Sequence, residues 1–203
     1  MKKTLRLMTL PALCLAFLPA CGGMEAEGLE ESDLGQTESS LSVSGSTRAM
    51  IAHGGSGGTA GSIACAAGYV AVGIYGRAGS LVDRLGLICA ALNTDGSLGY
   101  QYNSGTAGGT GGYDYSLQCP AGQAVVGFHG RSADKVDRLG VYCSGVVNWR
   151  NTGTIQFTSG TAGGSGGSAF SDVASAAYVV TSVQTRAATV VDQIRGITSY
   201  INP

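Results

Sequence analysis

Apolar positions in this chain follow two regimes. One apolar run, Leu7 to Leu18, interrupted only by Thr9 and Pro11, sits near the N-terminus. Beyond residue 44 the apolar residues come in short alternating stretches separated by glycine. Val82 to Cys89 alternates cleanly, with Val82, Arg84, Gly86 and Ile88 on one side and Asp83, Leu85, Leu87 and Cys89 on the other. Tyr69 to Tyr75 alternates less well but is rich in β-forming residues. Period-two stretches of this length predict half-buried strands. Gly76-Arg77-Ala78-Gly79-Ser80 between them predicts a hairpin turn.

The pattern recurs. Gly57-Gly58 aligns with Gly111-Gly112 and Gly166-Gly167, at spacings of 54 and 55 residues. In that register Cys65 falls on Cys119, Arg77 on Arg131 and Arg186, Asp83 on Asp137 and Asp192, and Cys89 on Cys143. The connector Ser104-Gly105-Thr106-Ala107-Gly108-Gly109 returns as Ser159-Gly160-Thr161-Ala162-Gly163-Gly164. Tyr100-Gln101-Tyr102 matches Ile155-Gln156-Phe157, and both are expected to be strands. Repeats run over about 54–98, 108–153 and 163–203. Four strands per repeat give about twelve, and one repeat alone cannot bury its apolar face. The third repeat has no connector strand after it. Residues 45–53 stand at the connector's spacing before the first repeat, so they are expected to complete the third sheet.

In the third repeat Ala174 and Thr198 replace both cysteines. Joint loss is what a bond between them predicts. Of the three pairings open to four cysteines, only Cys65–Cys89 with Cys119–Cys143 keeps the repeats equivalent. A metal site suits the spacing poorly, with two histidines in the chain. Disulfides imply an oxidising compartment.

Composition agrees with strands and turns: 34 glycines, 4 prolines and 12% charged residues. The net charge of −1 divides unevenly. Residues 1–20 hold Lys2, Lys3 and Arg6 and no acid, and Leu7–Leu18 is too short to span a bilayer. This reads as a signal peptide ending in Leu18-Pro19-Ala20-Cys21, which resembles a bacterial lipobox and makes Cys21 the expected lipidated residue. Residues 21–44 are acidic and lack aromatics, as expected of a flexible tether. Glycine after Cys21 permits sorting to an outer membrane, so the expected location is exported, lipid-anchored and at the cell surface. Residues 45–203 are near neutral, with nine basic and seven acidic residues, which disfavours nucleic acid. No Ser–His–Asp set, nucleophile elbow, glutamate pair or phosphate loop can be assembled, so no enzymatic activity is expected.

The series Gly111-Gly112-Tyr113-Asp114-Tyr115-Ser116-Leu117, Gly127-Phe128-His129-Gly130-Arg131 and Val136-Asp137-Arg138-Leu139-Gly140-Val141-Tyr142 resembles the repeat of the jacalin-related lectins. The resemblance covers roughly residues 45–203. It implies an all-β fold, a three-fold pseudosymmetric β-prism of three Greek-key four-stranded sheets. Plant members lack the bridges; Cys119-Pro120-Ala121-Gly122 is more like the vitelline membrane outer layer proteins, structural coat proteins with the same prism.

In the lectins, a G-x-x-x-D turn and a Gly-Gly loop hold sugar without metal or cofactor. Carried over, the first site is Gly79, Ser80, Leu81, Val82 and Asp83 with Gly111 and Gly112. The second is Ala133, Asp134, Lys135, Val136 and Asp137 with Gly166 and Gly167; the third is Asp192 with Gly57 and Gly58. Only the first matches strictly, since alanine leads the other two turns, and the sites rank in that order. The competing reading is a structural ion pair of Arg77 with Asp83 in every repeat. His53 is expected to be exposed. Trp149, in a connector, packs a sheet edge or stacks on sugar. The expected function is a glycan-binding surface lipoprotein; the alternative is a structural or adhesive coat protein with no sugar site. Glycans are the expected partners, the membrane is reached through the lipid anchor alone, and oligomeric state is left open.

Overall fold

A computed structural model describes residues 40–203; the expected signal peptide, Cys21 and most of the expected tether fall outside the described residues. Thirteen strands and one short helix follow in order. They are β1 (Ser42–Gly54), β2 (Thr59–Ala64), β3 (Tyr69–Ala78), β4 (Val82–Leu92), β5 (Leu98–Gly108), β6 (Tyr113–Gln118), β7 (Gln123–Ser132) and β8 (Val136–Gly145), then α1 (Val146–Thr152). After it come β9 (Phe157–Thr158), β10 (Ala162–Gly163), β11 (Ser168–Val173), β12 (Tyr178–Ala187) and β13 (Val191–Asn202).

The strands form three antiparallel sheets. The first is ordered β1-β13-β12-β2, the second β5-β4-β3-β6, and the third β10-β8-β7-β11 with β9 also on β8. The second sheet is a Greek key, three consecutive strands with the fourth returning beside the first. The first sheet has the same layout assembled from both chain ends: β1 pairs with β13, from Ser42 opposite Asn202 to Gly54 opposite Gln193. The arrangement is an all-β prism, the fold class expected from the repeat.

A sequence repeat is not a sheet. The first strand of each repeat leaves for the preceding sheet, so β2 pairs with β12 and β6 with β3. The disulfides therefore join sheets. Cys65, just past β2, is bonded to Cys89 in β4, and Cys119, just past β6, to Cys143 in β8. The first sheet is stapled to the second and the second to the third. Between the third and first sheets Ala174 and Thr198 take the positions of a bridge.

Each central strand carries a bulge at the same place, at Val72, Val126 and Thr181. The bulged carbonyl accepts the N–H that ends the incoming strand: Cys119 to Val72 at 2.8 Å, Ala174 to Val126 at 2.8 Å and Cys65 to Thr181 at 2.9 Å. The bulge also explains the imperfect alternation of Tyr69–Tyr75. Ala71 and Ile74 enter the central core with Leu85, Leu87, Phe128, Val141, Val183 and Ile194. Val70 and Val72 turn to a second cluster with Val126, Ile201 and Trp149.

The connectors diverge. In the first, β5 is one strand, and Ser104 Oγ accepts from Leu87 N at 2.8 Å. Ser159 Oγ does the same for Val141 N at 2.9 Å, which accounts for the repeated serine. The second connector was expected to form a strand at Ile155-Gln156-Phe157. Instead α1 intervenes, ended by Gly153 in the left-handed conformation (φ 64°), and only two dipeptide strands, β9 and β10, remain. Trp149 on α1 is 1% exposed and donates from Nε1 to Tyr178 O at 2.7 Å. It is a core residue and cannot stack on a sugar.

Each bridge spans a sequence separation of 24 and is worth about 3 kcal/mol in the chain-entropy account. Replacing Cys65 and Cys89 by serine should lower Tm by roughly 6–12 °C in a thermal melt. Conversely, Ala174→Cys with Thr198→Cys should form a third bridge, visible by peptide mapping without reductant, and raise Tm. A pair that stays reduced would contradict the positional equivalence.

Candidate functional site

The turns between central strands carry the repeated aspartates, and each faces the glycine loop that joins the two edge strands of the same sheet. The backbone brings them together first. Gly109 N donates to Asp83 O at 2.8 Å, Gly164 N to Asp137 O at 2.8 Å and Gly55 N to Asp192 O at 2.9 Å. Each carboxylate then lies against its glycine pair. A methyl at Gly111 would collide with Asp83 Oδ1; at Gly57 it would stand 2.6 Å from Asp192 Oδ1. Gly112 has φ +61°, and a Cβ there would meet the Ala78 backbone and Asp83 Oδ2. The glycine pairs are thus required by close approach of backbone to turn.

The repeated arginine holds the loop. Arg77 donates from Nε to Gly111 O at 2.9 Å and from Nη2 to Gly112 O at 2.6 Å. Arg131 makes the same pair of bonds to Gly166 and Gly167 at 2.8 and 2.6 Å, and Arg186 to Gly57 and Gly58 at 2.8 and 2.9 Å. A planar guanidinium suits two adjacent carbonyls. The expected Arg77–Asp83 ion pair is not what forms: the acid bound by Arg77 is Asp114, 2.7 Å away at the exposed edge. Arginine and aspartate grip the same loop from two sides without touching each other as a pair.

The three aspartates differ in access. Asp83 is half-buried. Asp137 is 9% exposed and Asp192 3%, and in both Oδ2 is enclosed without a hydrogen-bond partner. Lys135, from the second turn, places Nζ 2.6 Å from Asp192 Oδ1, so it lies at the third site's aspartate. The leading glycine is not what separates the turns. A methyl on Gly79 would lie 3.5 Å from Gly112 Cα and 3.7 Å from Asp83 Oδ2, ordinary contacts, and alanine fits there in the other two.

One residue escaped sequence reasoning. Tyr113, next to Gly112 and paired with Ala78 beside the turn, is 83% exposed. The equivalent residues are Thr59 and Ser168, so only the first site has an aromatic ring at its rim. The signal was present, since an aromatic on one copy alone has no role in the shared fold.

Other residues fall elsewhere. His53 is not exposed as expected: its ring stacks on Phe170 with centroids 3.9 Å apart and lies 3.4 Å from Asp172. His129 packs under Gly140 and beside Tyr142, and its burial pushes the imidazole pKa down, against weaker hydrogen-bonding effects. Three surface grooves of about 320, 380 and 260 Å³ run along β1 and Cys65, across Ser62 and Gln184, and between Met50 and Asp172. None of the three is lined by Asp83. Among the described residues, no three His, Cys, Asp or Glu side chains converge as a metal site would require.

Three sheets closed in a prism, with an aspartate turn under a glycine loop at each crossover, define a jacalin-type β-prism. Residues 97–142 match the family model of the Jacalin-like lectin domain, and the chain resembles the jacalin-related lectins in fold over three quarters of its length. Wild-type Malaysian banana lectin superposes with TM-score 0.56 at 18% identity, covering 76% of this chain and 99% of its own. A jacalin-related lectin from Ananas comosus gives 0.56 at 19%, over 76% and 98%. One from Morus nigra gives 0.57 at 16%, over 77% and 96%. No curated protein sequence matches the chain.

If the arginine clamp is what shapes the loop, Arg77→Ala should cost about 2 kcal/mol, the scale of hydrogen bonds made by a charged group. Hydrogen exchange at residues 109–113 should quicken while the core amides hold. Unchanged exchange there would show that the loop keeps its form without the arginine.

Proposed function

We propose that this protein binds carbohydrate at the first site, formed by Gly79, Ser80, Leu81, Val82 and Asp83 with Gly111 and Gly112. The observation that carries this reading is a carboxylate held against two glycines yet open to solvent, beside an exposed tyrosine. A carboxylate accepts protons from two sugar hydroxyls in charge-assisted bonds. The glycines leave room for the ring to approach, and Tyr113 offers a face on which the apolar side of a pyranose can stack. Asp83 is fixed by its backbone bond to Gly109 before ligand arrives, so little ordering is needed on binding. The Ananas comosus protein is described as mannose binding and the Morus nigra protein as mannose-specific, solved with mannose. Mannosides are therefore the first probe. The chemistry needs no metal and no catalytic group.

The same reading makes the protein an exported surface lipoprotein, tethered through Cys21 by the acidic stretch that precedes β1, which begins at Ser42 and not at the expected residue 45. Supporting it are the basic start, the short apolar run and the disulfides. Cys21→Ala should move the protein from the membrane fraction to the soluble one; an unchanged distribution would remove the anchor from the account.

A structural role for the aspartates draws on one specific observation: the Asp–Gly-Gly–Arg arrangement is present at all three crossovers, two of them enclosed. Two variants separate the readings on a glycan array with melting curves. Tyr113→Ala, altering an exposed side chain, should leave Tm unchanged and weaken binding about tenfold, and Asp83→Ala about tenfold to a hundredfold. A coat protein without a sugar site would show no array binding at all, and Asp83→Ala would register in Tm alone.

A further inference from the structure

The three turns support one another in a ring. The glycine loop over Asp192 packs on the second turn: a Cβ on Gly55 would lie 2.5 Å from Asp134 O. The loop over Asp83 packs in the same way on Thr189 of the third turn, through Gly109, and the loop over Asp137 on Ser80 of the first, through Gly164. The next residue in each turn is therefore placed beside a neighbouring site. Lys135 stands by Asp192, and by the equivalence of the three turns Val190 and Leu81 hold the corresponding positions toward Asp83 and Asp137.

At Asp192 that residue enters the site. Lys135 Nζ donates to Oδ1 at 2.6 Å; the carboxylate is 4% exposed and the lysine 43%. An ammonium carries three donors and no acceptor. It therefore supplies what a sugar's hydroxyls would supply, at the atom that would receive them. At the position equivalent to Lys135 toward Asp83 stands Val190, short and without a polar atom, and Asp83 is half-buried. Leu81 is longer but apolar, and beside it Asp137 is closed with Oδ2 unpartnered.

We propose that Lys135 is an internal occupant of the third sugar site, and that this one turn residue keeps that site from working beside the first. The inference rests on the lectin reading of the first site. It makes a positional prediction: giving the second turn the valine of the third turn opens Asp192, Gly57 and Gly58 to the same class of ligand, a hexose presenting vicinal hydroxyls.

The test uses the whole chain in five forms: wild type, Lys135→Val, Lys135→Arg, Asp83→Ala, and Asp83→Ala with Lys135→Val. Each is checked for folding by its melting curve. Each is then screened on a glycan array and titrated calorimetrically with methyl α-mannoside and with the strongest array glycan. Stoichiometry should rise from about one glycan per chain in wild type to about two in Lys135→Val, and stay at one in Lys135→Arg. Binding lost in Asp83→Ala should return in the double variant. A folded Lys135→Val that keeps one site, or a double variant that stays silent, overturns the proposal while leaving the first site intact. Wild type binding two glycans also overturns it. Binding by Lys135→Val alone upholds the occupant and sinks the lectin reading of the natural chain; binding by no form sinks both. Should Lys135→Val not fold, Lys135→Ser is read by the same criteria.

Discussion

Every repeat of this chain gives its first strand away, and the rest of the structure follows from that exchange. A repeat that kept all its strands would close a sheet on itself and leave one face bare. β2 completes the sheet of β12 and β6 the sheet of β3, so the chain passes to the next sheet only after each of these strands, where the disulfides lie. To reach the far edge of its sheet, the loop before that strand must cross close over the turn between the two central strands. That passage is what puts Gly109, Gly164 and Gly55 on the carbonyls of Asp83, Asp137 and Asp192. It is also what turns a disulfide within a sequence repeat into a staple between sheets.

Binding chemistry and folding chemistry are thus hard to separate at these crossovers. The aspartate backbone anchors the loop, the arginine clamps its carbonyls, and the carboxylate fills the hollow that two glycines leave. All three are needed to build the corner. What distinguishes one corner from another lies outside that shared set: the residue contributed by the adjacent turn and the residue that follows the glycine pair. At Asp83 these are Val190 and Tyr113, one short and one aromatic; at Asp192 they are Lys135 and Thr59. A pseudosymmetric fold can hold three copies of a scaffold at no cost to function, because two side chains decide which corner is open.

Sequence reasoning reached the scaffold more readily than the site. Paired loss of cysteines at Ala174 and Thr198 pointed to the bonds that form, and the fixed repeat spacing to three like sheets. The bulge at Val72 hid in the weak alternation of Tyr69–Tyr75, where a one-residue slip of period had no visible cause without the incoming strand. The helix at Val146–Thr152 was masked by the match of Ile155–Phe157 to a true strand; its seven residues bury Val146 and Trp149 rather than extend a ladder. The arginine was recognised as repeated but given the wrong partner, because proximity along one hairpin suggested Asp83 while the loop that it clamps lies 34 residues away. The occupation of Asp192 by Lys135 depends on packing between turns 57 residues apart, which no local pattern carries.

The seam without a bridge shows how the prism manages its weakest join. The third and first sheets meet where β11 faces β1, and noncovalent contacts stand there instead of sulfur. His53 stacks on Phe170, Ile51 N donates to Asp172 Oδ2 at 2.9 Å, and Thr198 Oγ1 donates to Arg48 O at 3.2 Å within the first sheet. The stacked ring pair and the one hydrogen bond that cross the seam contribute on the order of 1 kcal/mol each, below the roughly 3 kcal/mol of a disulfide. They act on the folded state, whereas a bridge acts largely by limiting the unfolded chain. Those contacts also exist only once β1 has docked, and β1 is the strand that joins the chain's beginning to its end. Two seams are covalently closed, and the third is held by β1, which pairs with β13 and packs its His53 and Ile51 against β11.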